Sequence, residues 1–151
     1  MRINRSETRK EISAFCKRLV FSQKAIELCE NEASVSQEIF LHKVMKSELA
    51  NRQESRRRRL LREAAFPVYK TFLGYEFNNL KLPSNLSREE LITCNFVKDK
   101  RNILLYGHVG TGKTHLATAL GITACELDMV VRFFTTTELV VRLSEAFRNG
   151  S

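Results

Sequence analysis

The run Gly107-His108-Val109-Gly110-Thr111-Gly112-Lys113-Thr114 has the residue types and spacing of a phosphate-binding loop. Glycines let the backbone curl so that successive N–H groups point inward at phosphate oxygens. A helix opening at the lysine adds its unbonded N–H groups and the positive end of its dipole. In that arrangement Lys113 reaches the β- and γ-phosphates of a nucleoside triphosphate, and the Thr114 hydroxyl ligates Mg²⁺. The expected cofactors are therefore ATP and Mg²⁺. The plainer alternative is a glycine-rich turn with an incidental lysine. Context favours the phosphate loop: the short apolar run Ile103-Leu104-Leu105-Tyr106 suits a buried parallel strand just before it, and Leu116, Ala117, Leu120 and Ala124 follow at helical spacing. His108 and His115 flank the motif without a partner that suggests catalysis, so they are assigned to packing or solvent. No residue receives a catalytic role.

A second group of chemically capable residues lies upstream. Arg52, Arg56, Arg57, Arg58, Arg59 and Arg62 fall within eleven residues, with Glu54 as the acid among them, a net charge of +5. On a helix Arg52, Arg56 and Arg59 line one side, with Arg58 and Arg62 together nearby. Such a stripe can follow a nucleic-acid backbone with salt-dependent, sequence-indifferent affinity. It can equally be a solvated basic face, or arginines paired with acids of a neighbouring subunit.

The elements that must position these groups read as two halves. Residues 7 to about 65 are expected to be helical. Ile12, Phe15, Cys16, Leu19 and Val20 repeat at helical spacing, and a break falls near Phe21-Ser22. Ser34 and Gln37 form a capping box for a helix running through Phe40, Leu41, Val44, Met45 and Leu49 to Ala65, where Pro67 disfavours continuation. Residues 67–101 read as a connector punctuated by Pro67, Gly74, Asn78-Asn79 and Pro83, with a short helix after Ser87. From Asn102 the expected order is strand, loop, helix, a second strand over Met129–Thr135, and a helix capped by Thr135 and Glu138 that stops at Asn149-Gly150. That order opens a doubly wound α/β domain. The expected domains are thus 1–66, a basic helical region; 67–101, a connector; and 102–151, the start of a P-loop domain.

Composition bounds the partners. The chain of 151 residues is 43% hydrophobic and 28% charged, with a net charge of +8, which suits a packed core and an anionic partner. The basic excess belongs mainly to the first half: residues 1–80 hold 16 Lys/Arg against 10 Asp/Glu, and residues 81–151 hold 9 against 7. Cys16, Cys29, Cys94 and Cys125 have neither zinc-site nor redox-motif spacing and fit free thiols in a reducing cytoplasm. No signal peptide or membrane-spanning run is visible, so a soluble, cytoplasmic protein without a membrane partner is expected.

Taken together these residues resemble the IstB-like family of transposition helper ATPases within the AAA+ superfamily. The resemblance runs through Phe40-Leu41, Glu48, Arg52 and the arginine helix. It continues in Ala65-Phe66-Pro67, Lys70-Thr71, Tyr75-Glu76-Phe77, Asn102-Ile103-Leu104-Leu105 and Gly110 to Ala117. Ala119-Leu120-Gly121, Val131-Arg132-Phe133 and Leu139-Val140 complete it. It implies an α/β fold: a helical region followed by an AAA+ doubly wound parallel sheet. It also implies ATP-dependent partnership with a transposase, possible homo-oligomers on DNA, and DNA contact by the N-terminal helices, hence by Arg52, Arg56, Arg57, Arg58, Arg59 and Arg62. The DnaC-like helicase loaders are the nearest alternative. A non-enzymatic DNA-binding remnant, with the loop kept as inherited sequence, is an alternative of a different class.

The resemblance also sets an expectation of truncation. The family's ATPase domain carries a second acidic motif, an apolar strand ending in Asp-Glu. The acids after Thr114 are Glu126, Asp128, Glu138 and Glu145, and none ends such a strand. The chain is accordingly expected to bind ATP but to hydrolyse it poorly.

Overall fold

The computed structural model describes residues 4–150. Its contacts divide the chain into two compact units, Met1–Ser55 and Arg56–Ser151.

The first unit is made of helices. The helix α1 (Arg5–Arg18) starts at Asn4, whose side chain accepts from the Ser6 amide, and it closes where Val20 takes a left-handed φ of 63°. Ser22 then caps α2 (Gln23–Asn31), which puts the break where the turn signal predicts it. The long helix α3 (Val35–Ala64) opens with the expected reciprocal cap: the Ser34 amide donates to Gln37 Oε1 at 2.8 Å, and the Gln37 amide donates to Ser34 Oγ at 3.4 Å. Ile12, Cys16, Leu19, Ile26 and Met45 form the core, with Phe15, Cys29, Leu41 and Leu49 packed against it. One carboxylate is buried beside this core. Glu38 is 1% exposed and takes bonds from Arg5 Nε, Arg5 Nη2 and Arg9 Nε at 2.7–3.0 Å.

The second unit is built around α6 (Lys113–Glu126), which is apolar on almost every side and therefore central. Leu116, Thr118, Ala119, Leu120, Ile122, Ala124 and Cys125 are all buried along it. The connector covers one flank. A 3-10 turn (Phe77–Asn79), α4 (Arg88–Ile92) and α5 (Asn95–Lys98) bring Phe72, Tyr75, Phe77, Leu80, Leu82, Leu86, Leu91, Cys94 and Phe96 against Leu116, Leu120 and Ala124. Ser87 and Glu90 close a capping box on α4. The end of α3 covers another flank: Leu60 and Ala64 pack with Cys125, joined by Leu61, Phe66 and Val131. That helix stops where expected, with Ala65 left-handed at φ 57° just before Phe66-Pro67. The helix α7 (Thr136–Arg148) carries its Thr135–Glu138 capping box but buries no residue.

The expected strands do not form among the described residues, which therefore show no part of the expected doubly wound sheet. Both segments keep the side-chain alternation of a strand. Ile103 and Leu105 are half-buried while Leu104 and Tyr106 are 86% and 90% exposed. Val131 and Phe133 are half-buried, and Val130 and Arg132 are exposed. What they lack is a partner. A strand exists as half of a hydrogen-bonded ladder, and neither segment has another extended segment bonded alongside. The Phe133 amide donates instead to Ala64 O, at the end of α3, at 2.8 Å.

Candidate nucleotide and nucleic-acid sites

The glycine loop leads directly into α6. Gly112, with φ 83°, precedes its first residue Lys113, and this left-handed turn aims the helix N-terminus back at the loop. Leu116 N bonds to Gly112 O at 2.9 Å, so the amides of Lys113, Thr114 and His115 have no acceptor within the helix and are available to an anion. Gly107 also requires glycine. Its φ is 145°, and a Cβ there would lie 3.3 Å from Thr111 Oγ1. Gly107, His108, Val109, Gly110 and Thr111 are exposed, with Val109 projecting fully into solvent.

Lys113 lies across the concavity. Its Nζ donates to Gly107 O at 2.8 Å and to His108 O at 2.7 Å, and Thr111 Oγ1 donates to His108 O at 2.9 Å. The ammonium thus sits over the loop where an anion's negative charge would be neutralised. Thr114 is exposed on the first turn of α6, beside Lys113. The loop's backbone, the lysine and the threonine hydroxyl fit a triphosphate with its magnesium ion. Thr114 would supply one oxygen ligand to such an ion, and among the described residues no group of three or more His, Cys, Asp or Glu gathers to hold a metal without nucleotide.

The connector's role beside this loop was not legible in the sequence. His115 Nε2 donates to Thr71 O at 2.8 Å, and its ring meets Tyr75 edge-on at 5.1 Å. Tyr75 in turn lies over the turn: a Cβ on Gly112 would come within 3.5 Å of its ring. Tyr75 also packs on Phe72 and Phe77, and burial pushes its phenol above the usual range. The expectation that His115 serves packing holds. His108 contributes its backbone carbonyl. The aromatic spacing Phe72, Tyr75, Phe77 was the available signal, and it named no target.

The arginines of α3 divide by what they touch. Arg52 pairs with Glu48 at 2.6 Å and Arg59 with Glu63 at 4.0 Å, both one turn away on the same helix. Arg56 Nε reaches Asp128 at 3.0 Å, and Arg57 pairs with Glu126; both acids lie at the C-terminal end of α6. Arg132 shares Glu63 at 3.3 Å. Arg58 and Arg62 are exposed. The loop and the arginine contacts therefore sit at opposite ends of one helix of 14 residues, roughly 21 Å apart at 1.5 Å per residue.

The four cysteines are free thiols, and burial raises Cys16, Cys94 and Cys125 above the ordinary thiol range. No helix among the described residues is long and apolar enough to cross a membrane.

Comparison with known proteins agrees with the loop. The family described as IstB-like ATP binding protein matches residues 17–151. The ATP-binding protein of insertion sequence IS5376 from Geobacillus stearothermophilus is 28% identical over 147 residues, 94% of this chain and 59% of its own length. An insertion-sequence ATP-binding protein of Sinorhizobium fredii is 36% identical over 110 residues, 72% of this chain and 37% of its own. One from Mycobacterium tuberculosis is 33% identical over 106 residues, 70% of this chain and 42% of its own. The chain thus spans between about a third and three fifths of the length of these relatives.

Proposed function

We propose, from the premise that this chain belongs to the IstB-like ATP-binding family, that it binds Mg-ATP at Gly107–Thr114 and serves DNA transposition as a helper. The single observation that carries the nucleotide reading is the geometry of Lys113. Its ammonium lies over the curled backbone of Gly107 and His108 at the opening of α6. Gly107, Gly110 and Gly112 allow the curl, and Lys113, Thr114 and the α6 amides face the phosphates. Thr114 supplies one ligand to the Mg²⁺ that arrives with the nucleotide.

DNA is the proposed macromolecular partner, through the basic face of α3 that carries Arg52, Arg56, Arg57, Arg58, Arg59 and Arg62. Support comes from the density of arginine and from the insertion-sequence context of the relatives. A transposase partner and assembly of several copies on DNA follow from the same context, and a cytoplasmic location follows from that work and the free thiols. The binding experiment compares Mg-ATP protection of α6 amides against hydrogen exchange in the wild type and in Lys113→Ala. Protection in the first and its loss in the second are expected. Equal, negligible protection of both at millimolar nucleotide would leave a non-enzymatic DNA-binding remnant as the better description.

A further inference from the structure

Arg56 and Arg57 are taken up by acids from a different element. Asp128 holds Arg56 Nε at 3.0 Å, and Glu126 holds Arg57. These contacts differ from Arg52–Glu48 and Arg59–Glu63, where the acid is one turn away on the arginine's own helix and simply accompanies it.

The placement of Glu126 is costly for α6 itself. It is the last residue of that helix, where backbone carbonyls concentrate negative charge, and the last turn contains no basic residue to offset it. Arg57 supplies the missing positive charge from α3. Asp128 stands just beyond, in a left-handed conformation with φ 63°. Both ion pairs are about half exposed, with side-chain exposures of 42% and 35% for Arg57–Glu126 and 53% and 49% for Arg56–Asp128. Pairs of that exposure contribute little to the fold, so removing the two carboxylates should not disrupt it.

We propose that Glu126 and Asp128 occupy Arg57 and Arg56 in place of phosphodiester groups, so that these two arginines are withheld from nucleic acid until the carboxylates release them. The proposal rests on the reading of α3 as a DNA-binding face. It makes the end of the P-loop helix a competitor for that face. A carboxylate and a phosphodiester present the same charge and the same acceptor oxygens to a guanidinium, so occupancy by one excludes the other.

The test is fluorescence anisotropy of a labelled duplex of arbitrary sequence with the full chain, between 50 and 200 mM salt. Glu126→Gln with Asp128→Asn keeps size and shape, relieves the charge at the helix end, and suits the left-handed position, which asparagine tolerates. Affinity is expected to rise about threefold to tenfold, and the slope of log K against log salt to steepen by about 1.8, or 0.9 for each arginine released. Glu89→Gln with Glu145→Gln makes the same change in net charge at exposed positions elsewhere and is expected to leave the slope unchanged. In an Arg56→Ala, Arg57→Ala background the Glu126 and Asp128 substitutions are expected to have no effect. A gain that persists in that background, or that the control pair matches, overturns the competition while leaving the DNA-binding face standing. If replacing all six arginines with alanine leaves duplex binding at the wild-type level, the face and the competition fall together.

Discussion

Gly121, in the middle of α6, lies so close beneath Phe66 that a Cβ there would sit 2.6 Å from the ring atoms Cε1 and Cζ. Phe66 follows the left-handed end of α3 and meets Phe133 edge-on at 6.1 Å. The pair lets the end of α3 approach α6 closely. Elsewhere in a helix interior, alanine would be preferred to glycine by roughly 0.5–1 kcal/mol. Here the added methyl must displace an aromatic ring, an overpacking that costs on the order of 1–3 kcal/mol. Gly121→Ala should therefore lower the urea midpoint followed by circular dichroism. In a Phe66→Ala background the same substitution should become neutral or stabilising. A Gly121→Ala chain more stable than the wild type would show that Phe66 moves aside without cost.

Glu38 predicts an acid-sensitive first unit. Hydrogen bonds from Arg5, the largest influence, and from Arg9 hold its carboxyl below the ordinary carboxylate range, against the opposing effect of burial. A group whose folded pKa is depressed stabilises the fold above its unfolded value, about 4.3 for glutamate. That stability is lost as pH falls through the lower folded value. As pH falls below about 4.3, helicity of the wild type should therefore drop more steeply than that of Glu38→Gln. The variant should already be weakened at pH 7, where it leaves two arginines beside a neutral amide. Superimposable acid profiles would assign the transition to other carboxylates.

The basic face of α3 predicts a salt dependence. If about four phosphates are neutralised, log K for duplex DNA falls with log salt at a slope near −3.6. Replacing Arg56, Arg57, Arg58 and Arg59 with alanine should flatten it and weaken binding to all sequences alike. An unchanged slope would return the stretch to a solvated face.

Turnover should be poor in residues 1–151. Phosphoryl transfer needs Mg²⁺ held from a second side and a positioned water. On the proposed reading Lys113 and Thr114 would supply the cradle and one ligand. Glu126 and Asp128 lie at the far end of α6 from the glycine loop, and Glu138 accepts from the Thr135 amide in its capping box. Phosphate release below about one per minute is expected, with or without DNA, which is slow against ordinary enzymes. Faster turnover that is lost in Lys113→Ala would show a second metal ligand where none is proposed.

The local features were readable because they depend on residues a few positions apart. Glycine conformation and the Gly-Lys-Thr order place a glycine loop at the start of a helix. Ser34 with Gln37, Ser87 with Glu90 and Thr135 with Glu138 each close a cap over three residues. Pro67 disfavours helix at Phe66, two residues past the last residue of α3. Tertiary structure decided what depends on distant partners. Ile103–Tyr106, and Met129–Phe133 within the expected strand Met129–Thr135, have the alternation of strands, yet a ladder needs a neighbouring backbone that periodicity does not report. The arginine run looks like one stripe in the sequence. In the folded chain two of its members meet Glu126 and Asp128, some seventy residues away, because packing of Leu60 and Ala64 on Cys125 brings those acids alongside. His115 and Tyr75 likewise acquire their places only when the connector folds back over the turn at Gly112. Short-range sterics and hydrogen bonding specify the pieces; long-range burial chooses which charges and which faces meet.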